Sequence, residues 1–153
     1  MLDNVILDSN GVFFPCREQY LGLIEKFWQS GYKFCSDLCA VDYLNIPSRI
    51  VPDGILAKRF EVVVSLTSFE LRKRVRIRVQ LDDDAPRLPS VYEFYRGSEA
   101  MEREAYDLLG IVFDNHPDLS RILLPEEWEG HPLRKDYSVG SIPVQFKAST
   151  ALR

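Results

Sequence analysis

Five side chains in this sequence carry the chemistry of metal or nucleophile sites: Cys16, Cys35, Cys39, His116 and His131. Thiolates and imidazoles hold zinc and iron–sulfur clusters, but only where they converge. No Cys-x-x-Cys pair occurs. Cys35 and Cys39 stand four apart, and on a strand they share a face about 13 Å from each other, too far for one ion. A cluster usually takes four thiolates, and the chain has three cysteines. They read better as small apolar core residues and free thiols. A Cys–His pair is conceivable, yet no Gly-x-Ser-x-Gly elbow accompanies it. Both histidines precede proline (His116-Pro117, His131-Pro132), which favours extended backbone and suits a turn or an interface anchor more than a mobile acid–base group. Neither a Gly-x-Gly-x-x-Gly fingerprint nor a Walker loop is present.

The remaining candidate is a row of cations, Arg72, Lys73, Arg74, Arg76 and Arg78. It reads first as the solvated face of a strand, opposite acids such as Glu61 on a neighbour. On that reading, reversing two of the charges leaves any assembly intact. The second reading is a docking surface for an acidic partner or for RNA. The net charge of -4 and pI near 5.2 oppose a general nucleic-acid binder.

The elements that must position these residues follow from periodicity. The 153 residues are 46% hydrophobic and 27% charged, globular proportions for one domain. No apolar run approaches the roughly 18 residues of a membrane-spanning helix. Met1–Asp8 lacks the charged and apolar regions of a signal peptide. An odd cysteine count without regular spacing suits reduced thiols in a cytosolic compartment. The chain therefore reads as soluble, with a partner holding it at any membrane where it works.

Residues 1–16 form a lead-in. Tyr20, Leu23, Ile24 and Phe27 give one face of a helix over Arg17–Ser30, with Gly31 beyond its end. Lys33–Tyr43 suits a strand, and Asn45–Ser48 and Pro52–Gly54 mark a loop. Phe60, Val62, Val64 and Leu66 alternate with polar residues, as do Val75, Ile77, Val79 and Leu81, which predicts a half-buried antiparallel hairpin. Ser90 can cap a short turn, and Ser98 a better helix with Met101, Ala105 and Leu108 as its apolar stripe. Arg103 stands between Glu99 and Asp107 on one edge of that helix. Gly110 stops it. Ile111–Phe113 and Ile122–Leu124 look like short strands, and dense Pro and Gly follow. The expected fold is α+β in two layers, helices on one face of a small, largely antiparallel sheet. A core over 1–124 precedes an extended, partner-binding tail over 125–153.

Residues 102–137 carry a further signal. They read Glu102-Arg103-Glu104-Ala105-Tyr106-Asp107, then Gly110-Ile111, then His116-Pro117-Asp118-Leu119-Ser120-Arg121, and finally Gly130-His131-Pro132-Leu133-Arg134-Lys135-Asp136-Tyr137. In order and spacing this resembles the signature of the C subunit of respiratory complex I, an NADH-quinone oxidoreductase. The likeness is strong here, looser over 32–101 and weakest before residue 32. Ser120 departs from it by standing where the family usually has a base.

The resemblance implies a non-catalytic structural subunit in the peripheral arm of a proton-translocating enzyme. Its place would be against the D subunit of the complex near the quinone site, with membrane contact only through the complex, on the cytoplasmic side of the cell membrane. It implies no cofactor in this chain, the FMN and iron–sulfur clusters residing in partner subunits. Interface or fold-closing roles fall to Glu102, Arg103, Glu104, Asp107, His116, Arg121, Trp128, His131, Arg134, Lys135, Asp136 and Tyr137. In that reading Trp128 and Tyr137 anchor the tail on the partner and Arg134 grips a carboxylate bidentately. Alternatives are the equivalent subunit of a membrane-bound hydrogenase or F420-dependent complex, or a free-standing RNA- or protein-binding module.

Overall fold

The computed structural model describes residues 5–138. Its centre is a three-strand meander, β3 (Phe34–Asp42), β4 (Phe60–Ser68) and β5 (Lys73–Leu81), with β4 in the middle. The predicted hairpin is there, paired without interruption from Phe60↔Leu81 to Ser68↔Lys73. Phe60, Val62, Val64 and Leu66 join Ile77, Val79 and Leu81 in the buried core. Two helices, α1 (Arg17–Gln29) and α2 (Glu99–Leu109), cover that face. The architecture is α+β in two layers.

Helix α1 buries Tyr20, Leu23 and Ile24, and Gln19 Oε1 accepts the Cys16 backbone N–H at 3.0 Å, which satisfies one exposed donor at its start. The lead-in holds two short strands, β1 (Ile6–Leu7) and β2 (Val12–Phe14). β2 runs parallel to β5 and completes the order β1-β2-β5-β4-β3. Strands this short carry no readable period; the free edge of β5 supplies the pairing that orders them. Two further strands, β6 (Arg87–Pro89) and β7 (Val112–Asp114), pair in parallel beside the main sheet.

Several expectations need correction. A bulge between Cys35 and Asp37 shifts the β3 register, so Cys35 is buried and Cys39 exposed instead of sharing a face. The buried stripe of α2 runs through Ala105 and Leu109, with Met101 and Leu108 only half-buried; the same helix buries Glu102 and Asp107. Ser98 stands at the N-cap position of α2, as expected, but its hydroxyl is buried without a hydrogen-bond partner and makes no capping bond. Residues 122–124 form no strand. Nor is Glu61 on a solvated face. It is fully buried, held by Arg49 at 2.9 Å, by Arg78 at 2.8 Å and by Gln80. Within the basic row only Arg78 meets an acid among the described residues.

Candidate functional site

The residues from the 102–137 motif converge on the C-terminal half of α2. A helix leaves its last carbonyls without intrahelical partners, and here each is met. Gly110 ends the helix in the left-handed conformation at φ 71°, and its N–H returns to Tyr106 O at 2.8 Å. His131 Nδ1 donates to Asp107 O at 2.9 Å, which sets the proton on Nδ1 in the neutral ring. The Leu133 N–H reaches Leu108 O at 3.0 Å, and Arg134 Nε reaches Leu109 O at 2.7 Å. Arg134 also places positive charge where the helix dipole favours it. Within its own chain it grips backbone carbonyls. Gly110 is further required because a Cβ there would lie 2.6 Å from the His131 ring and from Arg134 Nη2.

One turn earlier, Asp107 organises the chain that returns across the helix. Its Oδ2 accepts the N–H groups of Ile122, Leu123 and Leu124 at 3.0, 2.7 and 2.9 Å, and its Oδ1 takes Arg121 Nη1 at 2.6 Å. Burial works against this charge, but the three N–H groups and the guanidinium outweigh it and hold the pKa at about 2. These bonds explain why 122–124 is no strand: its amides serve a carboxylate instead of a ladder. Arg121 extends the clasp to Trp128 O at 2.8 Å and Gly130 O at 3.0 Å. Arg103 donates to Ser120 O, Ser120 Oγ and Arg121 O, and lies 3.5 Å from Glu99. It does not pair with Asp107, and the departing Ser120 gives it an acceptor.

At the start of α2, Glu102 is fully buried. It accepts Ser90 Oγ at 2.6 Å and the Val91 N–H at 2.8 Å. Burial raises its pKa to about 7 against those two hydrogen bonds. The buried His116 side chain places Nε2 3.8 Å from Glu102 and 3.3 Å from Glu99 O. Its Nδ1 accepts the Asp118 N–H at 3.1 Å, so the neutral ring carries its proton on Nε2.

The described end of the chain closes on the sheet. Arg59 grips Asp42 through two bonds of 3.0 and 2.8 Å and reaches Asp136 at 2.7 Å. The Lys135 N–H donates to Asp42 Oδ2 at 2.9 Å. Burial again opposes the charge on Asp42, and Arg59 with two N–H groups holds its pKa at about 2. The Tyr137 ring lies over Gly130, whose φ of 83° and lack of a Cβ admit it. Trp128 is half-buried with its indole N–H unpartnered, and Glu104 is exposed. Residues 125–138 are thus bonded to the domain that precedes them; 139–153 of the expected tail lie outside the described residues. Asp42 and Arg59 were not foreseen as part of this group, because nothing local marks them.

Among the described residues, no three His, Cys, Asp or Glu side chains come together as a metal site, and no helix is long and apolar enough to cross a membrane. A hollow of about 450 Å³ at the start of α1, lined by Cys16, Arg17, Lys58 and Arg87 among others, includes no motif residue.

Fold and motif together define a two-layer α+β domain closed by a charged clasp. A family model described as "Respiratory-chain NADH dehydrogenase, 30 Kd subunit" matches residues 16–142, and the chain belongs to this family. The C subunit of the NADH-quinone oxidoreductase of Salinispora arenicola is 44% identical over 77% of this chain, and that of Acidothermus cellulolyticus 43% over 97%. The first alignment covers 44% of the Salinispora protein and the second 75% of the Acidothermus one, so the chain spans less than half the length of the former. Among solved structures, the trypsin-resistant fragment (1-134) of Nqo5 matches with a TM-score of 0.65 at 31% identity, over 76% of this chain and 89% of that one. A chain of an archaeal membrane-bound sulfane sulfur reductase has a TM-score of 0.68 at 19% identity, over 92% and 83%, a likeness of fold alone.

Proposed function

We propose that the chain is a non-catalytic structural subunit of a proton-translocating NADH:quinone oxidoreductase. It packs against the D subunit near the quinone site, and its membrane contact is made only through the complex, on the cytoplasmic side. The observation that carries this reading is what the motif does. Asp107, Arg121, His131 and Arg134 are directed to backbone groups of their own chain, which is the work of a scaffold. A buried carboxylate satisfied by three N–H groups and an arginine holds its proton too weakly for acid–base turnover near neutral pH. Electron-transfer groups, FMN and iron–sulfur clusters, then belong to partner subunits.

The test is purification of the native assembly through a tag on this chain, with its polypeptides identified and iron and flavin measured. The expected result is co-purification of cluster-bearing subunits and a D subunit, with iron and flavin that stay behind when this chain is dissociated. Stoichiometric iron or flavin retained by the isolated chain overturns the scaffold role. A second reading, the equivalent subunit of a membrane-bound hydrogenase or F420-dependent complex, predicts a different set of electron-input subunits in the same experiment. The 40–44% identity to proteins named as NADH-quinone oxidoreductase subunits favours the first.

A further inference from the structure

We propose that the open face of the sheet beside the β4–β5 turn is a docking surface for an acidic segment of a partner polypeptide. The inference rests on the reading of the chain as a subunit. The starting observation is a set of cations without acids. Arg49, Arg59, Arg78 and Arg121 each reach a carboxylate within 4.0 Å. Arg72, Lys73, Arg74 and Arg76 reach none among the described residues, in a chain with 23 acidic and 19 basic residues. Across β4, on the open face, Arg74 opposes Thr67 and Arg76 opposes Ser65; Lys73, opposite the buried Ser68, is in phase with Val75 and Ile77 and stands at the rim of the hollow by the turn. Adjacent like charges repel, and a fixed anion relieves that repulsion.

The same corner exposes large apolar groups. Phe69 is 75% exposed, and its ring lies 5.6 Å from that of Phe34, itself 49% exposed; Leu71 stands beside them. Arg72, in the turn, takes a left-handed φ of 51°, unusual for a residue with a side chain. Thr67, Phe69, Arg72, Lys73 and Arg74 line a shallow hollow of about 400 Å³. Both helices pack on the opposite face of the sheet, where the alternating core residues point. Arginine and aromatic side chains together are the composition of energetically dominant interface positions.

A polypeptide fits better than a bilayer or a nucleic acid. The hollow between cations admits a carboxylate side chain, which an arginine fork grips through two bonds, and the phenyl pair offers an apolar neighbour to the same segment. Four cations at one strand end are too short a row to follow a phosphate backbone, and no amphipathic helix lies beside them among the described residues to rest on a bilayer.

The experiment uses the assembly purified through a tag on the full chain. A zero-length carbodiimide joins the Lys73 amine to any carboxylate in contact with it, and the joined peptides are sequenced. The expected result is Lys73 joined to an Asp or Glu of another polypeptide. The R74E/R76E variant should lower recovery of that polypeptide about tenfold, while R74K/R76K keeps most of it. Unchanged melting of the purified R74E/R76E chain separates lost docking from lost folding. Co-purifying subunits without a Lys73 cross-link, or recovery unaffected by charge reversal, overturns the docking surface and leaves the subunit reading standing. Binding of the chain to phosphatidylglycerol vesicles or single-stranded RNA, abolished in R74E/R76E, also overturns it in favour of those ligands. Failure of any polypeptide to co-purify removes both readings.

Discussion

The end of α2 and the open face of β5 are both rich in arginine, but they use it differently. Around α2, Arg103, Arg121 and Arg134 point inward to carbonyls and to Asp107. On β5, Arg74 and Arg76 are exposed, and the strand opposite offers them only hydroxyls. Cations with fixed internal partners hold a chain in place, because removing either member strands the other in a poorly solvated site. Exposed cations without an acidic partner contribute little to the fold and are available to something else. Charge content alone does not separate the two regions; burial and partner identity do.

The largest effect is expected from D107A, which leaves Arg121 and three N–H groups without their acceptor. Unfolding in urea should show a loss of about 4 kcal/mol. A loss below about 1 kcal/mol would place the two regions on the same footing. The intact protein should also be acid-sensitive in a defined window. With a pKa near 2 against a reference of 3.8, Asp107 binds its proton less readily folded than unfolded. Its contribution is present above about pH 4 and disappears as pH falls toward 2, and Asp42 acts in the same sense. D107N should flatten that part of the pH–stability curve.

Glu102 runs the opposite way. Its folded pKa of about 7 exceeds the reference of 4.5, so the folded state holds the proton after the unfolded state has released it. Stability is greatest below pH 4.5 for this group and declines as pH rises toward 7, by at most about 3 kcal/mol. E102Q should remove most of that decline when denaturation midpoints are compared across the interval. An unchanged slope would show that Glu102 does not exchange its proton over that interval in the folded protein.

G110A should cost about 2 kcal/mol, from the left-handed backbone and from displacement of His131 and Arg134, measured by thermal melting. The smallest effect belongs to the other region. R74A and R76A should each change the stability of the free chain by less than about 0.5 kcal/mol. A larger loss would mean that their contacts within the chain, such as Arg74 Nε to Thr67 Oγ1 at 3.4 Å, help to hold the fold, and the contrast between the regions would fail.

Much of this was legible in the sequence because it depends on local pattern. The β4–β5 hairpin follows from strict alternation, since a period of two buries one face whatever lies above it. Helix α1 follows from Tyr20, Leu23 and Ile24, and the end of α2 from Gly110. The ordered Glu102–Tyr137 motif identified the family. What the motif residues do was not legible. Asp107 looked like an exposed partner for Arg103 because the spacing of four allows it; tertiary packing buried it and gave it Arg121 and the amides of 122–124 instead. Arg134 caps the end of α2 through Leu109 O, a role that nothing local announced because the chain must first return to that helix. Asp42 and Arg59 carry no local mark, because their partners at Lys135 and Asp136 are close only once the chain has folded back on the sheet. Sequence by itself determined the long strands, the two helices and the family, since these are written in residue order. Only the tertiary structure decided which charges close the fold and which stay open, because hydrogen-bond partners distant along the chain meet only through the packing of helix on sheet.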